Sequence, residues 1–197
     1  MRSTSKISTA TLGLVLLAAL SPSADAQELS CYLARGTMEE AAQRPSPIGS
    51  TVMSIGGQEA KLCYGRPSAK ERTVMGELVP FGQPWRMGAN EAAAIHLPFA
   101  AMVGGVHLEP GSYSLYAVPA AGEWKFVLNS NFERWGIPIG EEVMATDVGS
   151  FTQPVEAIDE MVEQFTIGWH GHSETGGHLV IRWEHTSVEI PVQAGGM

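Results

Sequence analysis

Downstream of residue 50 the chain alternates between apolar and polar positions with the short period of β-strands. Stretches 51–55 and 58–64 flank Gly56-Gly57, a two-residue hairpin signal. In the second stretch Ala60, Leu62 and Tyr64 alternate with Glu59, Lys61 and Cys63, the pattern of a strand buried on one face. Further strands are predicted over 92–97, 100–103, 106–108, 112–118 and 123–128. Stretches 142–148 and 155–159 read as strands too, followed by 161–169, 178–184 and 187–192, the last two parted by a turn at His185-Thr186. A single helical signal stands out. Thr37 and Glu40 have the spacing of a capping box, which predicts a short helix over 38–43, ended by Pro45 and Pro47. Many short strands with Gly/Pro turns predict an all-β, antiparallel β-sandwich or jelly-roll-like domain.

Two irregular segments interrupt the strands. The longer, 64–92, threads glycines and prolines between Arg66, Arg72, Glu77, Trp85, Arg86, Asn90 and Glu91, so it is neither one helix nor one strand. Its Val74, Met75, Leu78, Val79 and Phe81 predict an ordered loop that packs. The second, 129–140, carries Arg134 and Trp135.

Outside the strands, the first 26 residues read as a secretory signal. Arg2 and Lys6 precede an 11-residue apolar run from Ala10 to Leu20, and Ala24-Asp25-Ala26 is an A-x-A cleavage site. The run is short of the roughly 20 residues a spanning helix needs. Lipidation at Cys31 is the other export route, but Glu28-Leu29-Ser30 lies far past the run and lacks the aliphatic such signals require. The expected organisation is a signal peptide (1–26), a tail with a short helix (27–46), a β-domain (47–193) and a terminal tail (194–197), outside the cytoplasm. Cleavage near Ala26 would leave 171 residues (197 − 26) and, without Arg2, Lys6 and Asp25, 10 basic against 20 acidic residues. That balance argues against nucleic acid or an anionic membrane surface as partner. In an oxidising compartment Cys31 and Cys63 either form one structural bridge or remain two thiols, one of them in a strand.

The motifs carry a resemblance. Tyr64-x-Arg66-Pro67, Met75 to Gly82 (MGELVPFG) and Trp85 to Ala92 (WRMGANEA) come first. Gly111 to Pro119, Trp124 to Asn129, Trp135-Gly136 and Leu179 to Glu184 come after them. Over residues 47 to 192 or so, the chain resembles the bacterial "domain of unknown function 2911" family. The resemblance implies a fold and an exported protein, and no activity or catalytic residue. The family usually has Gly-Arg at Glu71-Arg72 and threonine at Met87 and Ala93, so hydroxyls are missing around Arg86 and Asn90.

The candidate chemistry falls into two constellations. Arg66, Arg72, Arg86, Asn90 and Glu91, with Trp85 and Trp135, would suit a small polar ligand, a glycan fragment or an organic acid. Guanidinium forks match carboxylates and paired hydroxyls, and indoles offer flat faces. The bland reading is that Arg66 or Arg86 pairs with Glu91 or Glu77 inside the loop. An enzymatic reading makes Glu91 the acid/base of a lyase, isomerase or hydrolase, with Arg86 and Arg66 stabilising an oxyanion. A third reading is an envelope interaction domain with a merely well-packed loop. The second constellation, His170, His172 and His178 with Glu174 nearby, could hold a divalent metal on a hairpin. Otherwise no cofactor is expected. His96, His107 and His185 stand alone and read as surface or edge residues, and no Ser-His-Asp order, P-loop or H-E-x-x-H motif is present.

Overall fold

A computed structural model describes residues 29–173 and 175–195; the signal-like segment therefore lies outside the described residues. Helix α1 (Met38–Ala42) precedes β1 (Ile48–Ile55), β2 (Gln58–Gly65), β3 (Ala93–Leu97), β4 (Ala101–Val103) and β5 (Val106–Leu108). Then come β6 (Gly111–Pro119), β7 (Glu123–Asn129), helix α2 (Glu141–Met144), β8 (Asp147–Ser173) and β9 (Gly176–Ala194). The chain is all-β and antiparallel, as its alternation predicts. The strands join in one sheet of order β1-β2-β3-β6-β7-β8-β9-β4-β5 rather than in two separately paired sheets.

The expected hairpin forms in the expected register, with Ile55 opposite Gln58 and Thr51 opposite Leu62. Helix α1 is also where the capping box puts it. Thr37 Oγ1 accepts from the Glu40 N–H, and Glu40 accepts from the Thr37 N–H.

Two local expectations are corrected. Part of 142–148 is helical: Glu141 and Glu142 occupy the first turn of α2, where acids favour a helix start. The carbonyl of Val143, at the helix end, accepts from the Thr146 N–H at 3.1 Å and also from Asn129 Nδ2 at 2.6 Å and Thr146 Oγ1 at 2.8 Å. The predicted turn at His185-Thr186 is absent. Thr186 pairs with Ala157 and Ser187 with Glu156, so β9 keeps its pairing through these residues, with a left-handed backbone at Glu184 (φ 49), and the register shifts fall opposite it between Ala157 and Val162 and between Val162 and Thr166.

β8 serves two neighbours in turn. Its first residues pair with β7 as far as Pro154, and from Val155 it pairs with β9. Proline, which has no N–H to donate, sits where the ladder changes partner. The free edge of β8 is then met by the chain that leaves β2. Phe165 N–H donates to Pro67 O and Ala69 N–H to Glu163 O, both at 2.8 Å. The Tyr64 hydroxyl donates to Ile167 O at 3.1 Å and accepts from Ile167 N–H at 2.8 Å. The sheet is thereby curled, and residues from β1 to β9 share one core that includes Leu62, Ile95, Leu115, Trp124, Phe165 and Trp183.

Cys31 and Cys63, 32 positions apart in sequence, form a disulfide. It ties the N-terminal segment to the outward side of β2, because Leu62 and Tyr64 face the core. Replacing both cysteines by serine frees that loop in the unfolded chain and is expected to cost about 3–4 kcal/mol in the chain-entropy picture. Urea unfolding of the double variant checks this, with a lowered midpoint as the expected result.

Candidate functional site

The long irregular segment divides into scaffold and exposed chemistry. Trp85 is scaffold: its backbone pairs with Ala117 (N···O 2.7 and 2.9 Å). Its ring stacks on Trp183 at 5.9 Å and meets Trp124 and Phe165 edge-on at 5.7 and 5.1 Å. It is half-buried and packs against the aromatic core. Met87 and Ala93 are fully buried, so threonine hydroxyls at these two positions would point into the core. Arg72 is exposed and closes its own turn, donating from Nε to Ala69 O and from Nη2 to Ser68 O, each at 2.8 Å. Glu77 is exposed.

Glu91 is 7% exposed and is held by a residue the sequence did not single out. Arg44 Nη1 reaches both carboxylate oxygens, at 3.1 and 2.8 Å, and the Ala34 N–H donates to Oε1 at 3.2 Å. Arg44 also donates to the carbonyl of Arg35. The expected partners Arg66 and Arg86 are not involved. Arg44 lies in what reads as a tail between a helix and two prolines, with no periodicity to mark it as inward-facing.

Trp135 lies beneath this pair. The Arg35 guanidinium carbon sits 4.5 Å from the ring centroid and that of Arg44 6.0 Å, attractions that grow as water is excluded. The segment around Trp135 is fastened to the 88–91 turn by Gly136 N–H to Asn90 O at 2.8 Å and Ala92 N–H to Arg134 O at 3.3 Å. Asn90 has a left-handed backbone (φ 64) and donates from Nδ2 to Ser46 O at 2.9 Å. Arg134 donates to the carbonyls of Asn131, Trp135 and Gly136.

Arg66 and Arg86 are different. Both are half-buried, and both keep Nε out of water without a partner. Among the described residues neither guanidinium has a carboxylate within ion-pair distance. Each stem lies across a glycine: a Cβ on Gly49 would come within 2.4 Å of Arg66 Cδ, and one on Gly136 within 2.2 Å of Arg86 Cδ. The two flank the same turn. Arg86 leads into it, and Gly65, just before Arg66, touches it so closely that a Cβ there would be 2.0 Å from Ala89 O. Burial lowers the Arg86 pKa, yet a guanidinium stays charged at neutral pH.

The histidine hairpin is only partly described. His170 and His178 face each other across β8 and β9, both exposed, while the side chain of His172 and the whole of Glu174 lie outside the described residues. Among the described residues no group of three metal-type side chains gathers.

His96 departs from expectation. It is 6% exposed, in β3 between Lys61 and Ser112. Its Nδ1 is 2.8 Å from Ser112 Oγ, and its ring meets Phe132 edge-on. Burial, and then the charge of Lys61, hold its pKa below the ordinary 6.5. A second polar knot lies on the same side of the sheet. Tyr116 donates to Asp147 Oδ2 at 2.8 Å, and Asn129 Nδ2 donates to Asp147 Oδ1 at 2.8 Å. Burial, then the Asp147 hydrogen bond, raise the Tyr116 pKa, so the phenol stays protonated.

A family model described as "Protein of unknown function (DUF2911)" matches residues 46–192. No curated protein and no solved structure matches the chain.

This geometry makes two outcomes testable. Glu91→Gln leaves Arg44 charged, partly buried and unpaired, and is expected to cost about 3–5 kcal/mol in urea unfolding. For His96, the folded state holds the neutral form while the unfolded chain protonates near 6.5. Its contribution is therefore complete above that pH and is lost as pH falls towards the depressed folded value. His96→Gln should flatten the fall in urea midpoint below pH 6.5 without altering the midpoint's trend above it.

Proposed function

We propose a small-anion-binding role for this chain, which belongs to the DUF2911 family of proteins of unknown function. The ligand is an organic acid or an acidic glycan fragment, and its carboxylate is taken by Arg66 and Arg86 beside the 88–91 turn. One observation carries the reading: these two half-buried guanidiniums have no acid partner among the described residues, while the nearby carboxylate is already held by Arg44. Burying an unpaired charge is costly, and residues so placed are commonly kept for what they bind. Asn90, Trp135 and Glu91 shape the turn from behind; Arg72 and Trp85 serve the fold.

The reading includes export. Its support is the signal-like start of the sequence together with the Cys31–Cys63 disulfide, which belongs to oxidising compartments. Among the described residues no helix is long and apolar enough to cross a membrane.

We put forward no reaction. An acid/base role for Glu91 would need a free carboxylate, and this one accepts from a guanidinium and a backbone N–H. The competing reading is an interaction domain whose loop is wholly structural.

The test uses Arg66→Met and Arg86→Met, which keep the apolar stems and remove the charge. Calorimetric titration with lactate and with galacturonate should show saturable binding of at least one to the wild type. Each variant should weaken it by about 10- to 100-fold, the worth of a charged hydrogen bond of about 1.5–3 kcal/mol. Urea midpoints should be unchanged or raised. Loss of about 2 kcal/mol or more in both variants, with no heat from either acid, would establish the structural reading instead.

A further inference from the structure

A second site stands on the outward side of β2, β3 and β6, apart from the two arginines. There Lys61, His96 and Ser112 are register partners across three strands. Beside them is a cavity of about 330 Å³, walled by Tyr32 and Phe132, floored by His96 and Ser112, and bordered by Ser30 and Glu133. That volume is enough for a single small ring with a short substituent. The walls are built in advance. Tyr32 adjoins the disulfide-bonded Cys31, and its ring meets Phe132 edge-to-face at 6.4 Å. Phe132 in turn meets the His96 ring at 5.8 Å.

The lining sets the charge of the occupant. His96 has Ser112 on Nδ1 and a buried, partnerless Nε2, with no acid bonded to it, so it presents an uncharged ring. Lys61 acts on His96 from the neighbouring strand but lies outside the lining, where Glu133 is the charged residue among the described ones. Aromatic faces are electron-rich and favour a cation over an anion. We infer that this cavity is a binding site for a small ring-bearing amine, with the ring laid against the Tyr32–Phe132 pair over His96 and the ammonium towards Glu133.

The experiment tracks the His96 imidazole C–H resonance of the full mature protein during titration with tyramine. Two analogues of the same shape serve as comparisons, uncharged para-ethylphenol and anionic para-hydroxyphenylpropionate. The expected result is a saturable shift with tyramine, binding about fivefold weaker with para-ethylphenol, as befits one exposed carboxylate, and weakest with the carboxylate. Glu133→Gln, a change at an exposed side chain, should bring tyramine down to the level of para-ethylphenol. Arg86→Met should leave all three unchanged, which separates this site from the anion site. The inference is overturned if tyramine gives no saturable shift at millimolar concentration, if the three compounds bind alike, if Glu133→Gln has no effect, or if Arg86→Met abolishes the shift.

Discussion

The hydroxyl of Tyr64 is the point on which the sheet closes. It donates to the carbonyl of Ile167 and accepts from the N–H of the same residue. One side chain thus serves both backbone groups of an edge residue; the carbonyl also accepts from the Thr51 hydroxyl, whereas the N–H would otherwise be left unpaired, at a cost of about 1–3 kcal/mol. This closure constrains the path of the long loop. The chain leaving β2 runs along β8 through residues 67–69, and the long segment must return over the end of β2 to reach β3. That return path brings Ala89 against Gly65 and sets Arg66 and Arg86 on either side of one turn. The aromatic cluster of Trp85, Trp124, Phe165 and Trp183 then fills the space enclosed by the curl.

The N-terminal segment completes the arrangement. It is fastened by the disulfide at one end and by the Arg44–Glu91 pair at the other, with Arg35 seated on Trp135 between them. A buried ion pair is weak evidence of net stability, since desolvation offsets much of the attraction. Its stronger effect is on geometry. With Glu91 claimed by Arg44, the carboxylate is withdrawn from Arg66 and Arg86, and the fold leaves those two charges without a counter-ion among the described residues.

Much of the fold was legible because its signals are local. The Gly56-Gly57 hairpin, the capping box at Thr37 and the alternation through Leu115, Trp124 and Phe126 each depend on neighbours within a few positions. The features that escaped depend on contacts distant in sequence. Glu91 meets Arg44 across 47 positions, Trp85 faces Trp183, and His96 is buried by Phe132 and by β-strands on both sides. Pattern reading separated the irregular loop from the strands and picked out its arginines. It could not tell which of them closes a turn, as Arg72 does, and which is left unpaired. The helix α2 escaped for a related reason: its four residues are too few for a helical period to show, and its carbonyl partner Asn129 comes from β7.

The distribution of charge adds a last step. The chain is acidic overall, at −9, yet Glu91 is its one buried carboxylate among the described residues. Around it and the adjoining 131–136 segment stand Arg35, Arg44, Arg66, Arg86 and Arg134. Backbone carbonyls absorb Arg134, and Glu91 absorbs Arg44. Set against the exposed Glu133 of the same segment, Arg35, Arg66 and Arg86 still leave a local positive excess on a negative body, and the half-burial of Arg66 and Arg86 keeps them from the ions that would neutralise them in open water. Such an excess draws small anions more than large ones, because an acidic polymer or membrane face approaching this end would also meet the negative surroundings.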